Sequence, residues 1–149
     1  MNNEQIILLV EDSDADAELT AMAFQEARIG NPILRMRNGL AALDYLFAQG
    51  DHAGRDVTDM PAVVLLDLNL PLLPGLEVLR AIRGDARIRH LPVIILTSSN
   101  EDRDRLEAYD HFANSYVQKP VDYDQFVQAS RQLGLYWLVL NRPAPRRDV

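Results

Sequence analysis

Every residue type needed to handle a phosphoryl group stands directly behind a short apolar run of this sequence. Ile6 to Val10 is followed by Glu11-Asp12, and Ala62 to Leu66 by Asp67. Val93 to Leu96 is followed by Thr97-Ser98, and the weaker run Ser115 to Gln118 by Lys119-Pro120. If these ends share one edge, three carboxylates meet there and repel by ~4 kcal/mol per pair at ~4 Å and an effective dielectric of ~20. A divalent cation relieves that repulsion. The donors are all oxygen, with no His or Cys near them, so the ion is a hard one. Mg²⁺ or Mn²⁺ suits such an open site, because it keeps several waters and works beside phosphoryl groups. Lys119 and Thr97 then fit the oxygens of that group, one by charge and one by hydrogen bonding. The chemistry is phosphoryl transfer, in which positioning and charge neutralisation supply most of the catalysis. Asp67 is the best nucleophile among the acids, because the prolines of Leu68-Asn69-Leu70-Pro71 and of Pro74-Gly75 stiffen the loop behind it.

The runs that must position these residues read as strands. Three are apolar without alternation, as strands buried on both faces are, whereas Ile33 to Arg37 and Ser115 to Gln118 alternate as edge strands do. Helical spacing lies between them. Ser13 with Asp16 forms a capping box before an inward face of Leu19, Met22, Ala23 and Phe24. Asn38-Gly39 opens a second helix marked by Leu40, Leu43 and Leu46/Phe47. Pro74-Gly75 opens a third, marked by Leu76, Leu79 and Ile82/Arg83 and ending near Gly84-Asp85. Leu106, Tyr109 and Phe112 mark a weak fourth, and Val121 to Leu140 a long fifth. Residues 48–61 have no period and read as a long loop. The alternation predicts an α/β fold with a five-stranded parallel sheet and helices on both faces. In such a sheet ligands bind where the carboxyl ends of the strands meet.

Composition narrows the function classes. With 149 residues, 48% of them hydrophobic, the chain can bury one sizeable core, and without cysteine it has neither disulfides nor thiolate chemistry. Fifteen Lys and Arg against 22 Asp and Glu give a net charge of −7, which argues against nucleic acid or an anionic membrane as the main partner. The polar amino terminus and the five-residue first apolar run give no leader or membrane span, so the expected location is the cytoplasm. Asp12-Ser13-Asp14-Ala15-Asp16 opens like a calcium loop, but Ala17 stands where the turn glycine is required and Ala23 where the bidentate glutamate belongs. No glycine-rich phosphate loop is present, and His52, His90 and His111 have no mutual ligand spacing and read as surface residues.

Glu11-Asp12, Asp67 to Pro71 with Pro74-Gly75, Thr97-Ser98 and Lys119-Pro120, with Tyr116 three residues before the lysine, together resemble a receiver domain of bacterial two-component response regulators. The resemblance covers residues 6 to about 132 and implies the flavodoxin-like strand order 2-1-3-4-5. It implies that Asp67 accepts a phosphoryl group from a phosphohistidine on a sensor histidine kinase. Asp12 and Asp67 would ligate Mg²⁺ directly, with Glu11 through water and Asn69 by its backbone carbonyl. Thr97, Ser98 and Lys119 would bind phosphoryl oxygens, Thr97 and Tyr116 would form the coupled switch, and Asn69 and Ser99 would tune the phosphoryl lifetime. The Lys119-Pro120 peptide would be cis. The long loop before Asp67 departs from a minimal receiver, and no DNA-binding domain follows, which argues against a direct role in transcription.

The carboxyl-terminal stretch adds a further expectation. Phe126, Ala129, Leu133, Trp137 and Leu140 form a stripe, but Leu135, Tyr136, Leu138 and Val139 fill much of the remaining circumference. A helix apolar almost all round wants burial on two sides. Residues 1–140 would therefore form the receiver with an extended last helix, residues 141–149 a Pro/Arg tail, and Phe126, Leu133, Tyr136, Trp137 and Leu140 a homodimer interface. The YWLVLNRPAP ending and the long loop resemble the free-standing receivers that serve bacterial phytochrome kinases. Two other function classes share part of this pattern. One is a degenerate receiver used as a constitutive interaction module, although the acceptor, the acids and the lysine are all present. The other is a phosphatase of the haloacid dehalogenase type with Asp12 as nucleophile, which lacks the usual Thr or Val at residue 16 and has little room for a cap domain.

Overall fold

The structure is a computed structural model and describes residues 5–119, 122–134 and 145. Strands and helices alternate as β1 (Ile7–Val10), α1 (Asp14–Glu26), β2 (Ile33–Met36), α2 (Gly39–Leu46), β3 (Val63–Leu66), α3 (Gly75–Gly84), β4 (Val93–Thr97), α4 (Asp102–Asp110), β5 (Ser115–Gln118) and α5 (Tyr123–Leu133). The strands form one parallel sheet in the order β2-β1-β3-β4-β5. Val10 is in register with Met36 and Leu66, Leu66 with Ile95, and Thr97 with Gln118. The residues that follow β1, β3, β4 and β5 therefore emerge along one edge.

The pleat splits each central strand between two cores. Leu8, Val10, Val64, Leu66 and Ile95 face a cluster completed by Leu46, Leu79 and Ile82. Ile7, Leu9, Leu65 and Ile94 face the opposite cluster with Ala17 and Phe24, against which Phe126 packs. Each fully buried Leu or Ile contributes about 1.5–3 kcal/mol. β2 and β5 are mostly half-buried, as their alternation predicts for edge strands.

Some expected inward positions face outward instead. In α1 Ala23 and Phe24 are buried as expected, together with Ala17 and Thr20, while Leu19 and Met22 are 45% and 49% exposed. The small side chains bring α1 close to the sheet, and the Phe24 ring meets Phe126 of α5 at 6.4 Å between centroids, so the Leu19–Met22 flank turns outward. Leu40 of α2 also faces solvent, and Ala42 and Leu46 take the inward positions. In α4 the expected stripe is on the outside. Leu106, Tyr109 and the following Phe112 are 64%, 48% and 74% exposed, and Ala108 is the buried residue of the helix. Polar contacts hold this helix instead: Arg80 of α3 pairs with Glu107, and the Ser99 hydroxyl donates to Asp104 Oδ2 at 2.6 Å.

Arg83 is not an inward apolar position of α3. Its guanidinium donates to the carbonyl oxygens of His111, Arg89, Leu91 and Phe112 at 2.7–3.0 Å and to Asn114 Oδ1 at 3.4 Å. One side chain thereby ties the end of α3 to the segments leading into β4 and β5. The loop of residues 48–61 contains a short 3₁₀ turn, Gly50–His52. Arg55 pins this loop by stacking 3.9 Å over the Tyr45 ring and donating to the carbonyls of Tyr45 and Asp59. His52 meets the same ring edge-on, and His111 accepts from Arg80 Nε at 3.3 Å, so neither is a bare surface histidine. Asp122 caps α5 by accepting from the Gln125 N–H. The expected continuation of this helix to Leu140, the Lys119-Pro120 peptide and the tail, Pro145 apart, lie outside the described residues.

Candidate functional site

β1 and β3 are adjacent, so their last side chains deliver Glu11 and Asp67 side by side, both buried, with Asp12 exposed beside them. One carboxylate oxygen from each of Glu11, Asp12 and Asp67 lies within 4.8 Å of the others. The Asp67 carboxylate is tightly fixed. Its Oδ1 accepts from the Asn69 backbone N–H and from the Thr97 hydroxyl, both at 2.9 Å, and its Oδ2 accepts from Lys119 Nζ at 3.2 Å. Lys119 also donates to Glu11 Oε1 and to Asp16 Oδ2, each at 2.7 Å.

The loop behind Asp67 doubles back closely. A Cβ on Gly75 would collide with the Asp67 carbonyl oxygen and come within 2.7 Å of Leu68 Cα, while the Gly75 N–H donates to the Leu68 carbonyl at 3.0 Å. Only a residue without a side chain lets α3 begin this close to the end of β3. Likewise, a Cβ on Gly39 would strike the Leu73 carbonyl, so the start of α2 braces the same loop.

Burial and charge act in opposite directions on the three central groups. For Asp67, burial alone would raise the carboxyl, but the Asn69 N–H, the Thr97 hydroxyl and the Lys119 ammonium outweigh it and hold the group below the ordinary aspartate value. For Glu11, burial outweighs the help of Lys119, and its carboxyl sits above the ordinary value. Burial works to lower Lys119, but the carboxylates of Asp16, Glu11 and Asp67 raise it above 10.5. The surroundings thus favour the ionised form of Asp67 and the charged form of Lys119.

The other expected residues surround this centre at greater distance. Ser98 is exposed, and the Asn69 side-chain amide reaches its hydroxyl at 3.4 Å and that of Thr97 at 3.5 Å, both long contacts. The Tyr116 hydroxyl donates to the Ser99 carbonyl at 3.2 Å, and the Ser99 hydroxyl reaches α4 through Asp104. A chain of contacts thus runs from Asp67 through Thr97 and the Ser99 segment to Tyr116 and α4. Phe126 is not on an outward face, since it packs against Phe24. The Leu133 side chain, Tyr136, Trp137 and Leu140 lie outside the described residues.

Two residues at the site do not follow from the strand-end pattern. Ser13 caps α1 as expected by accepting from the Asp16 N–H at 3.2 Å, but the Asp16 carboxylate does not return to Ser13 as a capping box requires. The Ser13 N–H donates to Glu11 Oε2, and Asp16 pairs with Lys119. Its position one helical turn beyond Asp12 puts it near this edge but does not indicate its partner. Arg35 of β2 donates from Nε to the Glu11 carbonyl at 2.9 Å and from Nη1 to Asp14 at 2.8 Å, and Arg37 joins it on Asp14 at 2.6 Å. These bonds brace the acidic turn from outside. The donor set fits a hard divalent cation: three convergent carboxylates, oxygen ligands alone, and one acid open to solvent.

The chain resembles a probable methanogenesis regulatory protein, FilR2 of Methanothrix harundinacea, at 42% identity over 94% of this chain and 88% of that one. It is 33% identical to response regulator Rcp1 of Synechocystis over 92% and 91% of the two chains. The solved Mn²⁺-bound form of Rcp1 superposes with a TM-score of 0.82 over 95% of this chain and 99% of that one, at 31% identity. The phosphorylated cyanobacterial phytochrome response regulator RcpA gives 0.83 with the same identity and coverage. The bacteriophytochrome response regulator RtBRR gives 0.77 at 46% identity, covering 95% and 85%. Residues 7–131 match the response regulator receiver domain, and with the sheet order and the convergent strand-end acids already described this places the chain in that family.

Proposed function

We propose that this protein is a phosphoacceptor switch that receives a phosphoryl group on Asp67 from the phosphohistidine of a sensor histidine kinase. The observation that carries the reading is the Asp67 carboxylate itself, buried at the sheet edge between Lys119 and the Thr97 hydroxyl with Glu11 and Asp12 within reach. Attack by an Asp67 oxygen on phosphorus breaks the P–N bond, and the imidazole leaves with the electron pair and takes up a proton. Oδ1 already accepts two hydrogen bonds, so Oδ2, which faces Lys119, is the attacking atom. Lys119 then follows the charge onto the phosphoryl oxygens. Asp12 and Asp67 would hold Mg²⁺ or Mn²⁺ directly, with Glu11 through water and the Asn69 carbonyl as a further ligand. The ion would neutralise charge between acceptor and phosphoryl group. Ser98 joins the phosphoryl contacts, and Asn69 and Ser99 set how readily water reaches the acyl phosphate.

The switch follows from the Thr97 hydroxyl. It donates to Asp67 Oδ1, and an added phosphoryl group offers it a stronger acceptor. Its displacement is felt by the Ser99 segment, to which Tyr116 and Asp104 are bonded. The readout is the face of α4, where Leu106, Tyr109 and Phe112 are exposed, together with the carboxyl-terminal extension carrying Tyr136, Trp137 and Leu140. We assign this surface to a homodimer, residues 1–140 to the folded unit, and the cytoplasm as its location. Similarity to RcpA and RtBRR supports a bacterial phytochrome as the kinase. A degenerate receiver would lack part of the constellation, whereas acceptor, acids and lysine are all in place. Phosphotransfer from candidate kinases with Mg²⁺ tests the reading: wild type takes up label and Asp67→Asn does not. Transfer that survives the substitution overturns it.

A further inference from the structure

Lys119 donates to three carboxylates, and they are not equivalent. Glu11 and Asp67 are almost fully buried and belong to the convergent acid cluster, but Asp16 projects from the first turn of α1, has 46% of its side chain exposed, and stands outside that cluster. Its bond to Lys119, at 2.7 Å, is as short as that of Glu11 and shorter than the 3.2 Å contact to Asp67. An ammonium has three protons, so every donor of Lys119 is committed. Any cation or phosphoryl group that engages Glu11 and Asp67 takes away two of its acceptors and leaves Asp16.

We propose that Asp16 is a positioning residue for phosphoryl transfer, a tether that keeps the Lys119 ammonium over Asp67 Oδ2 while the other two carboxylates turn to their ligands. The inference rests on the phosphoacceptor reading of Asp67. Geometry supports the division of labour. The Ser13 hydroxyl caps the Asp16 N–H, which fixes the Asp16 backbone at the helix start, and the first helical turn places its carboxylate above the same edge as Glu11. Two carboxylates have no proton to share when ionised, so Asp16 acts on Asp67 only through the lysine. A long, rotamer-rich Lys side chain loses entropy when it is held, and a charged acceptor on a rigid helix supplies the compensation.

The test compares wild type, Asp16→Asn, Asp16→Glu and Asp67→Asn by Mg²⁺ titration, by beryllofluoride titration in saturating Mg²⁺, by acetyl phosphate-driven phosphorylation and by thermal melting. Asp16→Asn should melt close to wild type but bind beryllofluoride and accept phosphoryl groups about tenfold less well, the loss expected for one charge-assisted hydrogen bond. Mg²⁺ affinity should change less than about twofold, because Asp16 is not among the convergent acids. Asp16→Glu, which keeps the charge, should recover most of both losses. Asp16→Asn with wild-type beryllofluoride affinity, or Asp16→Glu as impaired as Asp16→Asn, overturns the tether and leaves the phosphoacceptor reading intact. Failure of wild type itself to bind beryllofluoride or take up phosphate removes that reading and the tether with it.

Discussion

Asp67 is acidic because two donors hold Oδ1 and one holds Oδ2, and the two side-chain donors, Thr97 and Lys119, can each be removed separately. Thr97→Val keeps the shape and deletes one donor, so the Asp67 titration midpoint, followed by carboxyl ¹³C NMR, should move upward from its position below 3.8. The substitution should cost about 1 kcal/mol of stability. Lys119 makes the opposite pH prediction. Its pKa is raised on folding, so its contribution to stability is complete below the unfolded value of 10.5 and fades only as pH rises through the higher folded value. Denaturant titrations should show Lys119→Met about 3 kcal/mol less stable, with a gap that is constant from about pH 7 to about 10 and narrows above it. A gap that already closes between about pH 7 and 9 would contradict the three-carboxylate assignment. The strand-end residues Glu11, Asp12, Asp67 and Thr97 were legible in the sequence because central parallel strands are continuous apolar runs, and a polar side chain right after one must sit at the edge. Lys119 follows the alternating edge run Ser115 to Gln118 and was legible from that weaker pattern. Asp16 and Arg35 were not. Which acid a flexible lysine reaches, or which carbonyl an edge arginine finds, depends on distances that no local pattern encodes.

At the scale of elements, the close approach of α3 to the end of β3 is the feature that presents Asp67. Gly75→Ala should destabilise the fold by about 3 kcal/mol, because the new methyl meets the Asp67 carbonyl and Leu68 Cα, both backbone atoms that cannot move alone. The same change at Gly84, where nothing lies within 4 Å, should be nearly neutral or slightly stabilising in the same chemical denaturation measurement. Arg83→Ala should cost about 2 kcal/mol, since it strips donors from carbonyls on the segments that lead into β4 and β5. Arg83→Lys should recover little, because an ammonium cannot reproduce the fork. Strand positions and most helix starts were readable from apolar runs and from Ser13, Asn38 and Pro74-Gly75. In α1 the buried Ala23 and Phe24 were readable, but the outward turn of Leu19 and Met22 was not, nor was the phase of α4, because inward positions filled by Ala17, Thr20 or Ala108 carry less apolar signal than the Leu, Met and Tyr residues that the fold leaves outside.

For the whole molecule, the outward turn of Leu106, Tyr109 and Phe112 leaves apolar side chains on the face that the contact chain from Asp67 reaches. On the proposed reading, association through this face would make the oligomeric state respond to phosphorylation. Sedimentation at tens of micromolar should show a dimer that Leu106→Asp and Phe112→Asp weaken at least about tenfold, and a monomer with and without phosphoryl donor would contradict it. The central claim, that Asp67 and not Asp12 carries the phosphoryl group, has a more direct test. Protein treated with acetyl phosphate and Mg²⁺ is reduced with borohydride, which converts an acyl phosphate to homoserine, and the modified peptide is located by mass spectrometry. Homoserine is expected at residue 67 alone; homoserine at residue 12 would contradict acceptance by Asp67 and favour a phosphatase that uses the first strand-end acid.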